Sequence, residues 1–383
     1  MKTIVVASDS FKGSLSSAEV AAYIGAGIHK VFPDCNVKCV TVADGGEGTA
    51  KAIVENLNGS FTDVFTVDPL GRSIVAQYGL VEENCCLVAV IEMAAASGLP
   101  LLVENERNPM ETTTYGTGLL VKDALLRGCR KVLMCIGGSA TNDGGTGILS
   151  ALGFRFLDAG GEVLEGKGSS LGKIAYIDDS GVLPEVFETD FLVACDVSAP
   201  FCGPDGAAYV FAKQKGADSE IVEVLDRGLR SFSMIAYEYS GIDLSVLPGA
   251  GAAGGLGGGM KAFLNATLLP GADMVLDAVR FDEIISGADL VVTGEGRIDS
   301  QTLMGKIPFA ISKRAASVSV PVIAVGGSVD VSNMEELGFS AAFPVVSGPV
   351  SLSSAMQPEE AGKNIVRTIS QIMALLKLGG LLF

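Results

Sequence analysis

The chain has 383 residues, of which 48% are hydrophobic, 19% charged and 6% aromatic, enough to bury a sizeable core and long enough for two domains. Asp and Glu number 44 against 27 Lys and Arg, a formal charge of −17 with no basic patch, which argues against a nucleic-acid partner. The most apolar stretch, Leu87 to Val103, is interrupted by Glu92, Ser97, Gly98 and Pro100, so no membrane span is expected.

The first element is a buried strand, Thr3 to Ser8, which reaches Asp9 too soon to supply a signal-peptide core and leads to the expectation of a cytoplasmic protein. Its loop, Asp9 to Ser14, carries Ser10 and Lys12, and the capping box Ser16-Ser17-Ala18-Glu19 opens a helix from Ser17 to Val31. His29, the only histidine, falls late in that helix beside Lys30, where a cation needs no catalytic explanation. A second strand, Val37 to Val42, runs into Ala43-Asp44-Gly45-Gly46-Glu47-Gly48-Thr49 and then a helix to about Leu57. From Phe61 to Glu92 three extended runs, joined at Asp68 to Gly71 and Glu82 to Asn84, read as an antiparallel meander. Helix Thr117 to Arg127 and strand Lys131 to Ile136 lead to the loop Gly137 to Gly145, and Phe154 to Leu164 reads as a hairpin. Strands return at Asp289 to Thr293, Pro321 to Val325 and Ala341 to Val346, with helices near Gly305 to Ala316 and Pro358 to Leu376. Eight cysteines, none in a CxxC pair, read as reduced structural thiols.

The fold class expected is α/β with two α/β domains. One is discontinuous, residues 1–60 plus 280–383, with a mainly parallel sheet built from both chain ends. The other is inserted, residues 61–279, with a mixed sheet, and the active site is expected in the cleft between them. Function belongs to the loops at the C-terminal ends of the strands.

Two nucleotide signatures fail on inspection. Gly161 to Gly168 has Walker spacing but ends in Gly instead of Ser or Thr, and Gly249-Ala250-Gly251-Ala252-Ala253-Gly254 fits GxGxxG without a convincing strand before it. The stronger signal is several loops that combine glycine with acidic and hydroxyl residues, able to hold phosphates by backbone N–H groups and Mg²⁺ by carboxylates. Each has an ordinary alternative: a tight turn capped by Asp143, an exposed loop lysine for Lys12, a helix cap for Asp44, an unpaired loop acid for Asp196.

Taken in order, Asp-Ser-Phe-Lys-Gly-Ser-Leu (9 to 15), Ala-Asp-Gly-Gly-Glu-Gly-Thr (43 to 49) and Gly-Gly-Ser-Ala-Thr-Asn-Asp-Gly-Gly (137 to 145) resemble the type 1 bacterial glycerate kinase family. The likeness continues through Gln214 to Ala217, Pro248 to Gly257 and Thr293 to Asp299, covering nearly the whole chain, with one departure at Asp196 to Phe201, where the family pattern has Asn before the proline and Leu after it. The resemblance implies ATP-dependent phosphorylation of D-glycerate, usually to 2-phosphoglycerate, with ATP and glycerate as the small-molecule partners. A related hydroxy acid as substrate, the 3-phosphate as product, a nicotinamide-dependent oxidoreductase and a non-catalytic sugar-acid sensor are the alternatives. A homo-oligomer is left open.

Residue chemistry and strand-end placement suggest the roles. Asp196 is the expected base, and Lys12 and Lys306 neutralise charge. Ser10, Gly137, Gly138, Ser139, Thr141, Asn142, Asp143, Gly251, Gly254 and Gly255 contact substrate or phosphate, and Mg²⁺ is held among Asp44, Glu47, Glu295 and Asp299.

Overall fold

The computed structural model describes residues 2–330 and 334–380. The chain forms two compact units, Met1–Asp44 with Val275–Phe383, and Gly45–Met274.

The first unit holds a five-stranded sheet in the order Ala341–Pro344, Val322–Val329, Leu290–Ile298, Thr3–Val6, Asn36–Cys39, with every pair parallel. Ile4, Val5 and Val6, like Val291 and Val292, are fully buried, as continuous apolar runs must be when both sheet faces are covered. One face carries the helices Ser17–His29 and Pro358–Leu378. The first starts at the expected capping box, in which Ser16 Oγ accepts from the Glu19 N–H and Glu19 Oε2 accepts from the Ser16 N–H at 2.8 Å. Gly27 lets the two helices close together, because a Cβ there would lie 2.7 Å from Ile369 Cβ. Gly27→Ala is therefore expected to cost about 1–2 kcal/mol in chemical denaturation, overpacking outweighing the better helix propensity of alanine. An unchanged denaturation midpoint would show that the helices separate freely.

The second unit holds a six-stranded mixed sheet in the order Thr267–Leu269, Asp190–Ala194, Lys131–Cys135, Cys86–Glu92, Ser73–Glu83, Ser60–Val67. The last three form the expected antiparallel meander and the rest pair in parallel. The helix Thr49–Asn56 belongs to this unit and packs on the meander, where Gly79 leaves room for Val54; a Cβ at Gly79 would approach Val54 Cγ2 to 2.5 Å. Phe154, Phe156, Phe232 and Phe263 interlock in the core, mostly edge to face. The hairpin expected at Phe154 to Leu164 forms as a turn closed by a single antiparallel bridge. Arg155–Leu157 takes its strand partner from Tyr176–Asp178, while Leu157 and Val163 make a single bridge. Several strand ends also move: Asn36–Cys39 stops before Val42, and Leu290–Ile298 runs on past Thr293 because it pairs with Val322–Val329 along its length.

Candidate active site

In the first unit, three neighbouring parallel strands end beside one another, and the segments after them hold the expected residues Ser10, Lys12, Asp44, Glu295, Asp299 and Lys306. Backbone pairing continues past Thr3–Val6, with the Asp9 N–H donating to Gly294 O at 2.8 Å, so Asp9 stands beside the segment bearing Glu295. After it the chain makes a tight turn, Phe11 and Leu15 bridging through reciprocal backbone bonds with both side chains buried and Gly13 at φ +77°. This turn presents Lys12 to solvent. Ser10 is half-buried, its N–H donating to Asp9 Oδ1 at 2.7 Å.

Glu295 is buried at 4% exposure; Thr302 Oγ1 donates to its Oε1 at 2.6 Å and Lys306 Nζ to its Oε2 at 2.9 Å. Burial still holds its carboxyl above the ordinary range. Lys306 stands just before the helix Ile307–Ser317, which fixes the direction of its approach. Asp299 caps the short turn Ser300–Met304, accepting from the Gln301 N–H at 2.9 Å, and pairs with Arg297. Asp44 is exposed at the end of the unit's first segment. Glu47, the fourth acid expected at a metal, lies in the second unit. Among the described residues no three His, Cys, Asp or Glu side chains form a metal-holding cluster.

Asp9 was not among the expected site residues. Its carboxyl is pushed up to about 7, chiefly by burial, then by the negative charges of Asp44 and Glu295, with the Ser10 N–H opposing. The sequence signal was available, an acid at a strand end, but its loading depends on carboxylates far away in the chain. Between about pH 4 and 7 the folded state keeps a proton that the unfolded state has released, so stability contributed by Asp9 falls as pH rises through this window. In metal-free buffer, Asp9→Asn is expected to lose that slope and to exceed the parent in stability at pH 8. Parallel stability–pH curves for the two proteins would refute the shift.

In the second unit the loop 137–145 follows the strand Lys131–Cys135. Gly137 and Gly138 are exposed, Gly138 at φ +74°, and the backbone is tied to a neighbouring loop by Ala140 N–H to Ser97 O and Leu99 N–H to Gly138 O. Asp143 is wholly buried and accepts four bonds, from Thr114 N–H at 2.8 Å, Thr114 Oγ1 at 2.7 Å, Gly145 N–H at 3.1 Å and Gly147 N–H at 3.2 Å. Burial pushes its carboxyl up against those donors. It is a clamp that shapes the loop. Thr141 Oγ1 and both amide atoms of Asn142 are buried with no hydrogen-bond partner in the protein, a cost that a polar ligand would remove.

Gly251, Gly254 and Gly255 are buried. Ala253, Gly254 and Gly255 have φ of 53°, 72° and 92°, and a Cβ at Gly254 would lie 2.1 Å from Thr141 O. These glycines let one chain segment back the other, which explains a GxGxxG spacing without a dinucleotide. Gly45 and Gly46 pack the acidic loop on the same strand ends: a Cβ at Gly45 would meet Ala194 and Gly271 at 2.8 Å, and one at Gly137 would meet Gly46 Cα at 3.4 Å. Glu47 and the exposed Asp196 thus belong to one group of loops, and Asp196 Oδ1 accepts from the Gly271 N–H at 2.8 Å. Glu92 is satisfied structurally, accepting from the Ala50 N–H at 2.8 Å at the start of the helix Thr49–Asn56.

Residues 4–377 match the model of the glycerate kinase family. A glycerate kinase of Halalkalibacterium halodurans is 45% identical over 95% of this chain and 97% of that protein. The glycerate 2-kinase of Escherichia coli is 40% identical over 98% of each. Among solved structures, a crystal structure from Salmonella typhimurium LT2, provisionally described as glycerate kinase 2, has a TM-score of 0.89 and 41% identity over 99% of each chain.

Proposed function

The chain belongs to the glycerate kinase family, and from that premise we propose that it transfers the γ-phosphoryl group of ATP to D-glycerate, giving 2-phosphoglycerate and ADP in organic-acid catabolism. The observation that carries this reading is the loop 137–145, where exposed glycine backbone adjoins a buried hydroxyl and amide without protein partners. Phosphoryl transfer asks a protein mainly for positioned donors of this type, plus cations and a proton acceptor.

Asp196 is the acceptor. Its Oδ1 is oriented by the Gly271 N–H, and it takes the proton of the glycerate hydroxyl as that oxygen bonds to the γ-phosphorus and the bond to ADP breaks. Gly137, Gly138, Ser139, Thr141 and Asn142 supply the surrounding donors. In the first unit, Lys12, displayed on its tight turn, and Lys306, held by Glu295, are the cations that offset phosphate charge.

A magnesium ion fits the first unit's acids. The Asp9 carboxyl is raised first by burial and then by the negative charges of Asp44 and Glu295, and a divalent cation there would offset that negative charge. The ion would be held by Asp44 and Glu295, with Asp299 close in sequence, together with ATP oxygens, since Mg²⁺ commonly takes one or two carboxylates plus substrate phosphates. Bound, it would neutralise charge on the phosphates. No helix among the described residues is long and apolar enough to cross a membrane, and we place the reaction in the cytoplasm, where ATP is at hand.

The decisive assay incubates the protein with D-glycerate, ATP and Mg²⁺, follows ADP, and couples the product to enolase with and without phosphoglycerate mutase. Direct enolase coupling supports the 2-phosphate, a mutase requirement overturns it in favour of the 3-phosphate, and no glycerate-dependent ADP from folded protein overturns the substrate. Asp196→Asn is expected to lower kcat at least about 100-fold while glycerate binding changes little. Near-normal kcat in that variant would remove Asp196 as the base.

A further inference from the structure

We propose that Lys215 is the positioning residue of the loop 137–145, setting through Ser139 and Thr141 the conformation in which that loop receives its ligand. The proposal rests on the reading of this loop as part of the active site.

Lys215 lies on the segment Lys213–Lys215 and is buried at 1% exposure, an unusual location for an ammonium group. Gly216 makes this possible: at φ +99° it seats the backbone against Arg107, where a Cβ would come within 2.1 Å of the Arg107 carbonyl. From there the ammonium donates to Ser139 Oγ at 2.7 Å and to Thr141 O at 2.6 Å. These two acceptors flank Ala140 and the second belongs to Thr141, so the lysine pins the backbone at the first of the two residues, Thr141 and Asn142, whose side chains have unpartnered polar atoms.

The loop has other supports. Asp143 clamps its far end, Ala140 and Gly138 are bonded to the 97–99 segment, and Gly254 backs Thr141. From the interior the middle is held by two groups, the buried Thr112 hydroxyl, which donates to Ala140 O at 2.9 Å, and Lys215, which alone of the two bonds a loop side chain, Ser139; burial drives the Lys215 ammonium down to about 7 despite the opposing charge of Asp143. A buried amine with two short bonds to a loop that already has other backbone supports calls for a role that an apolar residue could not fill.

The test is Lys215→Met, which keeps the length of the side chain and removes the donor. The expected result is a folded protein whose kcat/KM for glycerate falls about 100-fold, mostly in kcat, as expected for a misplaced binding group. Amide exchange of residues 137–145 should quicken on the order of tenfold while the core strand Lys131–Cys135 keeps its protection. A merely structural lysine would instead lower protection throughout the unit and leave kcat of the folded fraction unchanged, and that result overturns the proposal. Thr141→Val and Asn142→Ala, measured beside it, separate the two readings. If they impair turnover and Lys215→Met does not, the positioning role fails and the loop's role stands; if all three turn over normally, the loop's role fails as well. Should Lys215→Met not fold, Lys215→Gln, able to donate to one acceptor, decides: unchanged loop exchange and kcat overturn the proposal.

Discussion

Replacing Asp143 by alanine is expected to remove about 3–5 kcal/mol of stability, among the largest losses a single truncation can cause. The carboxylate is fully buried and accepts from the Thr114 N–H and hydroxyl and from the N–H groups of Gly145 and Gly147. Alanine would strand those donors in a space water does not reach, and would also remove the negative charge that favours the buried Lys215 ammonium. Urea denaturation checks the magnitude. A loss below about 1 kcal/mol would mean that the loop refolds around other acceptors and that the clamp is dispensable. Asp143→Asn, which keeps the shape and part of the acceptor capacity, should fall between the two.

Lys12→Ala should do the reverse, leaving the fold intact and damaging turnover. The lysine is exposed, and its turn is held by Phe11, Leu15 and backbone bonds that the substitution does not touch. A thermal midpoint within about 2 °C of the parent is expected, with kcat/KM for MgATP and glycerate reduced by about 100- to 1,000-fold, the range for losing one preorganised charge-stabilising group. Unchanged kinetics would return Lys12 to the status of an ordinary loop lysine. Lys306→Ala gives the contrast, because Lys306 also pairs with buried Glu295; it should lose both stability and activity.

These two substitutions show what was legible in the chain and what was not. Lys12 could be singled out because a lysine between a strand end and a capping box is a local pattern, visible within a dozen residues. Asp143 could be placed in the right loop, but whether it binds a ligand or clamps the fold depended on Thr114, 29 residues earlier. Glu295 and Asp299 were likewise recognised as strand-end acids. Their partners, Thr302 and Lys306 for one and Arg297 and Gln301 for the other, decide which oxygens are already engaged.

The longest helix of the second unit, Ser219–Ser240, lies outside the glycine motifs; Asp218 caps it and its buried face runs through Val222, Leu225, Leu229 and Phe232. Its Phe232 belongs to the core on which Phe156 and Phe263 pack. At Gly254, glycine spacing alone cannot distinguish close approach of a ligand from close approach of another stretch of chain, and the structure shows the chain at Thr141 against it.

By itself the sequence determined the alternation of strands, loops and helices, the meander, the capping box at Ser16, and the family. All of these rest on short-range periodicity or on ordered local motifs, which the unfolded chain already contains. Only the tertiary structure decided that the Asp9 carboxyl is pushed up to about 7, that Asp143 is a clamp, and that Lys215 reaches the 137–145 loop from within. Burial and the field of distant charges set the state of an ionisable group, and neither exists until segments as far apart as Asp9 and Glu295, or Ser139 and Lys215, are brought into one low-dielectric environment.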